Sequence, residues 1–211
     1  MILSNTEIGE LPKIKKLNII NSITGIKPAN LIGTRSIKGM TNLAVFSSVV
    51  HMGSNPPLIG MISRPVGDVE RHTMENLEDS PFYTINHVVT DKVKHAHYTS
   101  AKWGREDSEF EKCGFNEQFI SDFPAPFVQE SHIKMGMEVK EKINIELNGT
   151  VLIIGTVQMI VIPDEALSGE GYINLELAKS AGVSGLNSYY SLNRIQEFPY
   201  ARVDDANDLV K

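Results

Sequence analysis

The 211-residue sequence has one cysteine, no excess of basic residues and no long apolar segment. Cys113 cannot form a disulfide within the chain or complete a cysteine-paired zinc site, which favours a reducing compartment and a buried apolar thiol. Lys and Arg total 20 against 26 Asp and Glu, giving a net charge of -6. Nucleic acid is therefore not an expected partner.

Targeting and membrane segments are also lacking. The first residues carry Glu7 and Glu10 and lack the basic flank and apolar run of a signal peptide. The most apolar stretch, 151–163, is too short to cross a bilayer. We therefore expect a cytoplasmic protein that does not enter a membrane, and the chain length predicts a single domain with a core at about 29–200.

Motifs for catalysis by side chains are missing as well. The sequence has no G-x-S-x-G, no G-x-G-x-x-G after a strand and no His-x-x-x-His. His95 and His97 have the spacing of ligands on a strand, but their segment is predicted to be a helix, where they would diverge. No bound metal is expected, and the chemistry is expected to reside in a bound cofactor.

What the sequence does contain is a series of β-rich runs separated by turn signals. The runs are A-N-L-I-G-T-R at 29–35, N-L-A-V-F-S-S-V-V at 42–50, L-I-G-M-I-S at 58–63 and F-Y-T-I-N-H-V-V at 82–89. The prolines of G-S-N-P-P at 53–57 predict a tight reversal. Residues 127–162 return to strand character around Asn148-Gly149, a strong hairpin signal.

Short helices are predicted between and after these runs. Val69, Thr73, Met74 and Leu77 share a helical face, which predicts a helix at 73–79 with Thr73 as its N-cap. Further helices are predicted at 91–101 with Asp91 as cap, at 107–113 ending at Gly114, and briefly at 174–180. The predicted fold is mainly β: an antiparallel barrel of about six or more strands with short helices at its ends.

The first candidate binding cluster lies on the strand that begins at Thr41. One face of its alternation carries Asn42, Ala44, Phe46 and Ser48, and the other carries Leu43, Val45 and Ser47. Hydroxyls and an amide can bind a phosphorylated polar ligand while small residues let the backbone approach it closely. The alternative is a solvated strand end without a ligand.

The second cluster comprises Ser63-Arg64 and Arg71-His72-Thr73, the latter at the start of a predicted helix. Free N–H groups, a hydroxyl and a guanidinium together describe a phosphate site. The alternative is an exposed arginine beside a helix cap. Two such clusters within one compact unit favour a ligand site.

The motifs, taken in order, resemble the flavin reductase-like family, the FMN-binding split β-barrels, over about 29–200. They are G-M-T-N-L-A-V-F-S-S, N-P-P-L-I-G-M-I-S-R-P, R-H-T-M-E-N-L, F-Y-T-I-N, H-Y-T-S-A, S-E-F-E-K-C-G-F and N-S-Y-Y. The resemblance implies a homodimer that binds FMN, or FAD, near its interface. It also implies hydride transfer from NADH or NADPH to the flavin, which then reduces a monooxygenase partner, a metal ion or another acceptor. The alternative is an FMN-carrying electron-transfer protein without free-flavin reductase activity.

The resemblance also implies a set of flavin-binding residues. The residues implied to contact the isoalloxazine ring, partly through their backbone, are Thr41, Asn42, Leu43 and Ala44. The residues implied to contact the ribityl chain and phosphate are Ser47, Ser48, Ser63, Arg71 and Thr73. Arg64 and His72 are also implied to bind the flavin. Many reductases of the family carry a histidine where this chain has Asn148-Gly149-Thr150. His51, His72 and His97 are the candidates to replace it, and Tyr189 and Tyr190 are candidates to cover the flavin or a partner subunit.

Overall fold

The computed structural model describes residues 1–65 and 71–203, so Val69 lies outside the described residues. The strands are β1 Lys27–Pro28, β2 Asn30–Arg35, β3 Thr41–Phe46, β4 Val49–Ser54, β5 Pro57–Ser63, β6 Phe82–His87, β7 Glu117–Gln118, β8 Phe127–Val128, β9 Lys134–Ile145, β10 Thr150–Val161, β11 Ala181–Ser184 and β12 Ser188–Ser191. The α-helices are α1 Asn5–Glu10, α2 Lys13–Ser22, α3 His72–Asp79, α4 Val93–Tyr98 and α5 Glu109–Cys113. Within the described ranges, every helix falls short of the length and apolar character needed to cross a membrane.

Seven strands form one antiparallel sheet in the order β3-β2-β6-β9-β10-β5-β4. The long β9–β10 hairpin is at its centre and reverses at Asn148-Gly149, where Gly149 has the φ of +69° that the turn requires. The reversal predicted at 53–57 joins β4 to β5. The mainly β fold with short helices is therefore confirmed.

The two edge strands of this sheet, β3 and β4, are consecutive in the chain. The sequence predicted one strand over 42–50, but the structure divides it at Ser47-Ser48, where the chain leaves β2 and begins to pair with β5. Ser48 makes this change of partner, since its carbonyl accepts from the Ile62 N–H at 3.2 Å and its hydroxyl donates to the Ile62 carbonyl at 2.8 Å. The curved sheet is thus joined across its edges by one bent segment.

Alternation along the strands separates two apolar clusters. The inner cluster gathers fully buried side chains from the curved sheet, including Ile32, Tyr83 and Ile153. The outer cluster places Leu43 of β3 against Phe110 of α5. Because β3 contributes one residue face to each cluster, both sides of this edge strand are fixed by packing.

The helices after β5 differ from the prediction mainly at their starts. α3 begins one residue early, its N-cap is Arg71 without a side-chain cap bond, and Thr73 is inside the helix, so Thr73 is not the cap. The helix predicted at 91–101 is a 3-10 turn, Thr90–Lys92, followed by α4, and Asp91 is the N-cap of neither. The end of α5 at Gly114, with φ +69°, is as predicted.

The two ends of the chain differ more. α1 and α2 were not predicted, although Ser4 and Glu7 form a reciprocal capping box at the start of α1. The segment 174–180 forms hydrogen-bonded turns and no helix. The Asn174 side chain accepts from the N–H groups of Glu176 and Leu177, as a helix cap does, but Lys179 has a φ of +51°, which ends the helical path after one turn. β11 and β12 form a hairpin that pairs with β1 in a separate three-stranded sheet.

Candidate functional site

A cleft of about 500 Å³ runs over the exposed edge of β3. It brings together both clusters predicted from the sequence, and the predicted residues that line it are Asn42, Ala44, Ser47, Ser48, Ser63, Arg64, Arg71, His72 and Thr73. Thr41 and Leu43 do not line it. Residues more than 20 positions apart in the sequence thus share one concave surface of a size typical of ligand sites.

One end of the cleft is cationic. Burial, together with the neighbouring Arg64 guanidinium, lowers the pKa of Arg71. Arg71 Nε is buried and has no hydrogen-bond partner in the described part of the chain. A buried donor left unpaired and a second guanidinium of like charge are both stabilised by an anion. This end of the cleft is therefore chemically suited to a phosphate.

The hydroxyls at this end are not equivalent. Thr73 Oγ1 accepts from Asn42 Nδ2 at 3.0 Å, which leaves its own proton available for an acceptor. The Ser48 proton is given to the Ile62 carbonyl, and Ser63 donates a longer bond of 3.3 Å to the Arg64 carbonyl. Of these three hydroxyls, Thr73 is thus the best prepared to donate to a phosphate oxygen, and Ser48 the least.

A buried polar network fixes Thr73 behind the cleft. Thr34 Oγ1 accepts from Asn42 Nδ2 at 3.3 Å and from Asn76 Nδ2 at 2.9 Å. Arg105 then donates to Asn76 Oδ1 at 2.8 Å, so both ends of the Asn76 amide are engaged. Because these asparagines and threonines are at most 5% exposed, the network holds α3 against β2 and β3 in one arrangement.

Thr41 and Leu43 instead form hydrogen bonds to other residues of the protein. Thr41 Oγ1 lies 2.8 Å from Ser108 Oγ and donates to Glu117 Oε1 at 2.5 Å. Leu43 is fully buried, and its backbone N–H donates to Glu109 Oε2 at 3.0 Å. The backbone donor expected to meet a ligand at Leu43 is therefore already taken by a carboxylate.

Glu109 is a buried acid that lines the cleft and that sequence reasoning did not single out as a site residue. Burial raises its pKa, while the hydrogen bond from the Leu43 N–H and the nearby Arg105 guanidinium oppose that rise. Its presence was signalled only by the S-E-F-E-K-C-G-F motif. Arg105 and Asn76 were missed too, because nothing in a local pattern shows that they meet.

The opposite side of β3 is aromatic. His97 of α4 packs edge-on against Tyr189 of β12, with ring centroids 6.0 Å apart at 88°. Trp103, which follows α4, also lines the cleft, and its indole N–H donates to the Tyr98 carbonyl at 3.0 Å. Burial raises the pKa of Tyr189. Tyr189 lines the cleft and Tyr190 does not.

The remaining predicted residues also divide into those that line the cleft and those that do not. Of the three candidate histidines, His72 and His97 line the cleft, whereas His51 is exposed on β4 outside it. Asn148 and Gly149 form the β9–β10 turn and do not line the cleft, although a Cβ atom on Gly149 would lie 3.5 Å from Pro65, the residue after Arg64. Burial raises the pKa of Cys113 to about 11, as expected for an inert thiol. In residues 1–65 and 71–203, no three His, Cys, Asp or Glu side chains are grouped to hold a metal ion.

Comparison with known proteins identifies the family. Residues 26–178 match the model of the flavin reductase like domain, and the chain belongs to that family. A candidate flavin reductase with a split barrel domain from Shewanella frigidimarina NCIMB 400 is 41% identical, with a TM-score of 0.91 over 95% of this chain and 100% of that one.

Two other solved structures share the fold at lower identity. Nitrilotriacetate monooxygenase component B from Bacillus cereus is 19% identical, with a TM-score of 0.83 over 94% of this chain and 98% of that one. An FMN-binding protein from Thermus thermophilus is 15% identical, with a TM-score of 0.70 over 83% and 91%. The split barrel is thus the fold of this chain, and its family is one of flavin-related oxidoreductases.

Proposed function

We propose that the cleft binds FMN and that the protein transfers hydride from NADH or NADPH to the flavin. The observation that carries this proposal is Arg71, which lines the cleft with Arg64 and Thr73 and whose buried Nε has no partner among residues 1–65 and 71–203. This donor set fits a phosphate monoester, which FMN has and riboflavin lacks. Membership of the flavin reductase-like family supports the flavin itself.

The chain's residues have distinct tasks in this proposal. Arg64 and Arg71 neutralise the phosphate, Thr73 donates its free proton to it, and Ser47 supplies a further hydroxyl at the bend between β3 and β4. When bound, FMN supplies a ring that accepts a hydride at N5 and passes electrons on. The protein's contribution is to orient that ring, so no catalytic acid or base is assigned.

The polar edge of the flavin needs donors on the other side of β3. The outward N–H groups of Leu43 and Val45 are taken by Glu109 and by the Thr99 hydroxyl. The proposed donors are therefore side chains that line the cleft, namely His97 and Lys102. Placing a positive or polar group there stabilises a reduced flavin that carries negative charge.

A homodimer is proposed with this function. Val50 and Met52 on the edge strand β4 are 52% and 44% exposed, which is unusual for paired large apolar side chains on a sheet edge. A second copy that covers β4 would bury them. Light scattering on the purified protein is expected to give twice the monomer mass of 23.4 kDa, and a monomer at all concentrations would contradict this.

The central experiment is an anaerobic titration of the purified protein with NADH and then NADPH in the presence of FMN. Loss of the flavin absorption band, with stoichiometric nicotinamide oxidation, is the expected result. A yellow protein that retains FMN but is reduced by neither nucleotide would favour the electron-transfer alternative. Absence of flavin from the protein, with no shift in Tm on adding FMN, would refute flavin binding.

A further inference from the structure

Two segments outside the family match contribute to the cleft. The match ends at residues 26 and 178, yet α2 before it and the β11–β12 hairpin after it both line the cleft. Their lining residues, called the uncharged wall below, are Leu17, Asn21, Val183, Leu186, Asn187 and Tyr189. The matched domain supplies the cationic end, and the segments before and after the match supply this wall.

The uncharged wall is a single packed unit. A Cβ atom on Gly185 would lie 3.0 Å from Ser22 Oγ, and one on Gly182 would lie 2.4 Å from Ile26 Cγ2, so the hairpin and the end of α2 are in close contact. Lys27 Nζ donates to the Asn21 carbonyl at 2.5 Å and secures the same junction. The wall therefore has a fixed position relative to β1 and the cleft.

The chemistry of the wall contrasts with that of the cationic end. None of its six residues is charged at neutral pH, and Leu17 and Leu186 remain 40% and 37% exposed along it. His97 and Trp103 continue the surface with aromatic edges. An apolar and aromatic surface favours a flat uncharged ring, whereas a diphosphate brought against it would lose hydration without gaining a cation.

We propose that the uncharged wall binds the electron acceptor, and that this acceptor is a neutral quinone. The inference rests on the proposed function, because it assigns the oxidant of the same flavin. The quinone takes two electrons and one proton from the anionic reduced flavin and a second proton from water, so hydroquinone leaves and the flavin returns to its oxidised form. The wall selects the acceptor by excluding charge.

Binding can be measured without flavin, because Trp103 is the chain's single tryptophan and lines the cleft. A neutral benzoquinone is expected to quench its fluorescence saturably in FMN-free protein. Leu186→Lys is expected to weaken that binding at least tenfold and to tighten binding of a sulfonated quinone. The matched control is Tyr190→Lys on the same hairpin, 44% exposed and not lining the cleft, which is expected to leave both affinities unchanged.

Turnover can be measured without nicotinamide by photoreducing the FMN-loaded protein and following its reoxidation in stopped flow. Leu186→Lys is expected to slow reoxidation by the neutral quinone at least tenfold and to leave reoxidation by dissolved dioxygen, a small uncharged acceptor, within twofold. The proposal would be overturned if Leu186→Lys and Tyr190→Lys had equal effects or if Leu186→Lys left the quinone affinity unchanged. A changed oligomeric state of Leu186→Lys would also overturn it. A loss of FMN affinity in Leu186→Lys would show instead that the wall holds the flavin. Failure of nicotinamide oxidation alone would count against the proposed function and not against this inference.

Discussion

The two faces of β3 do different work within one six-residue strand. The Asn42 face joins a buried polar network with Thr34 and Thr73 and leads to the cationic end of the cleft. The Leu43 face packs into the outer apolar cluster, against which Tyr189 and Trp103 are placed. Because successive side chains of a strand point to opposite faces, alternate residues of this one edge strand lead to the cationic end of the cleft and to its aromatic side.

This difference shows why an edge strand suits a ligand site. Its inner hydrogen bonds to β2 fix the backbone, while its outer N–H groups are available to side chains from elsewhere in the fold. Here Glu109 and Thr99 take those groups. The site is thus made of side chains that project above and below the strand, and each face can be tested separately.

The largest expected effect comes from Leu43→Ala on the apolar face. Leu43 is fully buried in the outer cluster, so the substitution is expected to lower the free energy of unfolding by about 3 kcal/mol. Urea denaturation of both proteins measures it. Leu147→Ala, at a site 98% exposed in the β9–β10 turn, is expected to cost less than about 0.5 kcal/mol. If the two variants lose similar stability, Leu43 does not anchor β3.

Arg71→Ala tests the polar face and is expected to have the next largest effect. Removing the guanidinium is expected to cost about 2 kcal/mol of FMN binding, roughly thirtyfold in Kd, with little change for riboflavin. Calorimetric titration with both ligands measures the ratio. Arg35→Ala is the matched control, since Arg35 lies over the Phe119 ring and does not line the cleft. Equal weakening of both flavins would remove Arg71 from the phosphate site.

The strands and the two binding clusters could be predicted because alternation, turn residues and helix ends are local signals. The bend at Ser47-Ser48 could not, since the chain there exchanges β2 for β5 as a partner, and both partners lie outside the local sequence. For the same reason Thr73 was assigned as a helix cap. Its hydroxyl instead accepts from Asn42, which is 31 residues earlier in the chain.

The walls of the cleft were the least predictable part. α2 has no buried residue and a weak apolar periodicity, so its pattern does not stand out from a solvated segment. Leu186 is in a hairpin turn, where an apolar residue carries no strand or helix signal. Glu109 and Arg105 enter the site through contacts with Leu43 and Asn76, and such contacts exist only in the folded chain.

Thr73→Val sharpens the comparison by removing one hydroxyl from the polar face at nearly constant volume. The variant loses the proposed donor to phosphate, and about 1 kcal/mol of FMN binding, roughly fivefold in Kd, is expected to go with it. Thr73→Ser keeps the hydroxyl and is expected to bind FMN within twofold of the original protein. Calorimetric titration compares the three proteins, and a serine variant as weak as the valine variant would show that packing, and not the hydroxyl, matters here.

Glu109→Gln changes the buried carboxylate that accepts from the Leu43 N–H and lines the cleft, and it is expected to have the smallest effect. Burial raises the pKa of Glu109 above its ordinary value of 4.5, so the folded protein holds this proton at a pH where the unfolded chain releases it. The stability that this gives is present below pH 4.5 and is lost as the pH rises through the raised pKa. Glutamine does not titrate, so the free energy of unfolding of the variant, relative to the original protein, is expected to increase from pH 4 to pH 7. Glu111→Gln, exposed on the same helix, is the control, and a pH-independent difference for Glu109→Gln would show that the carboxyl is not perturbed by its burial.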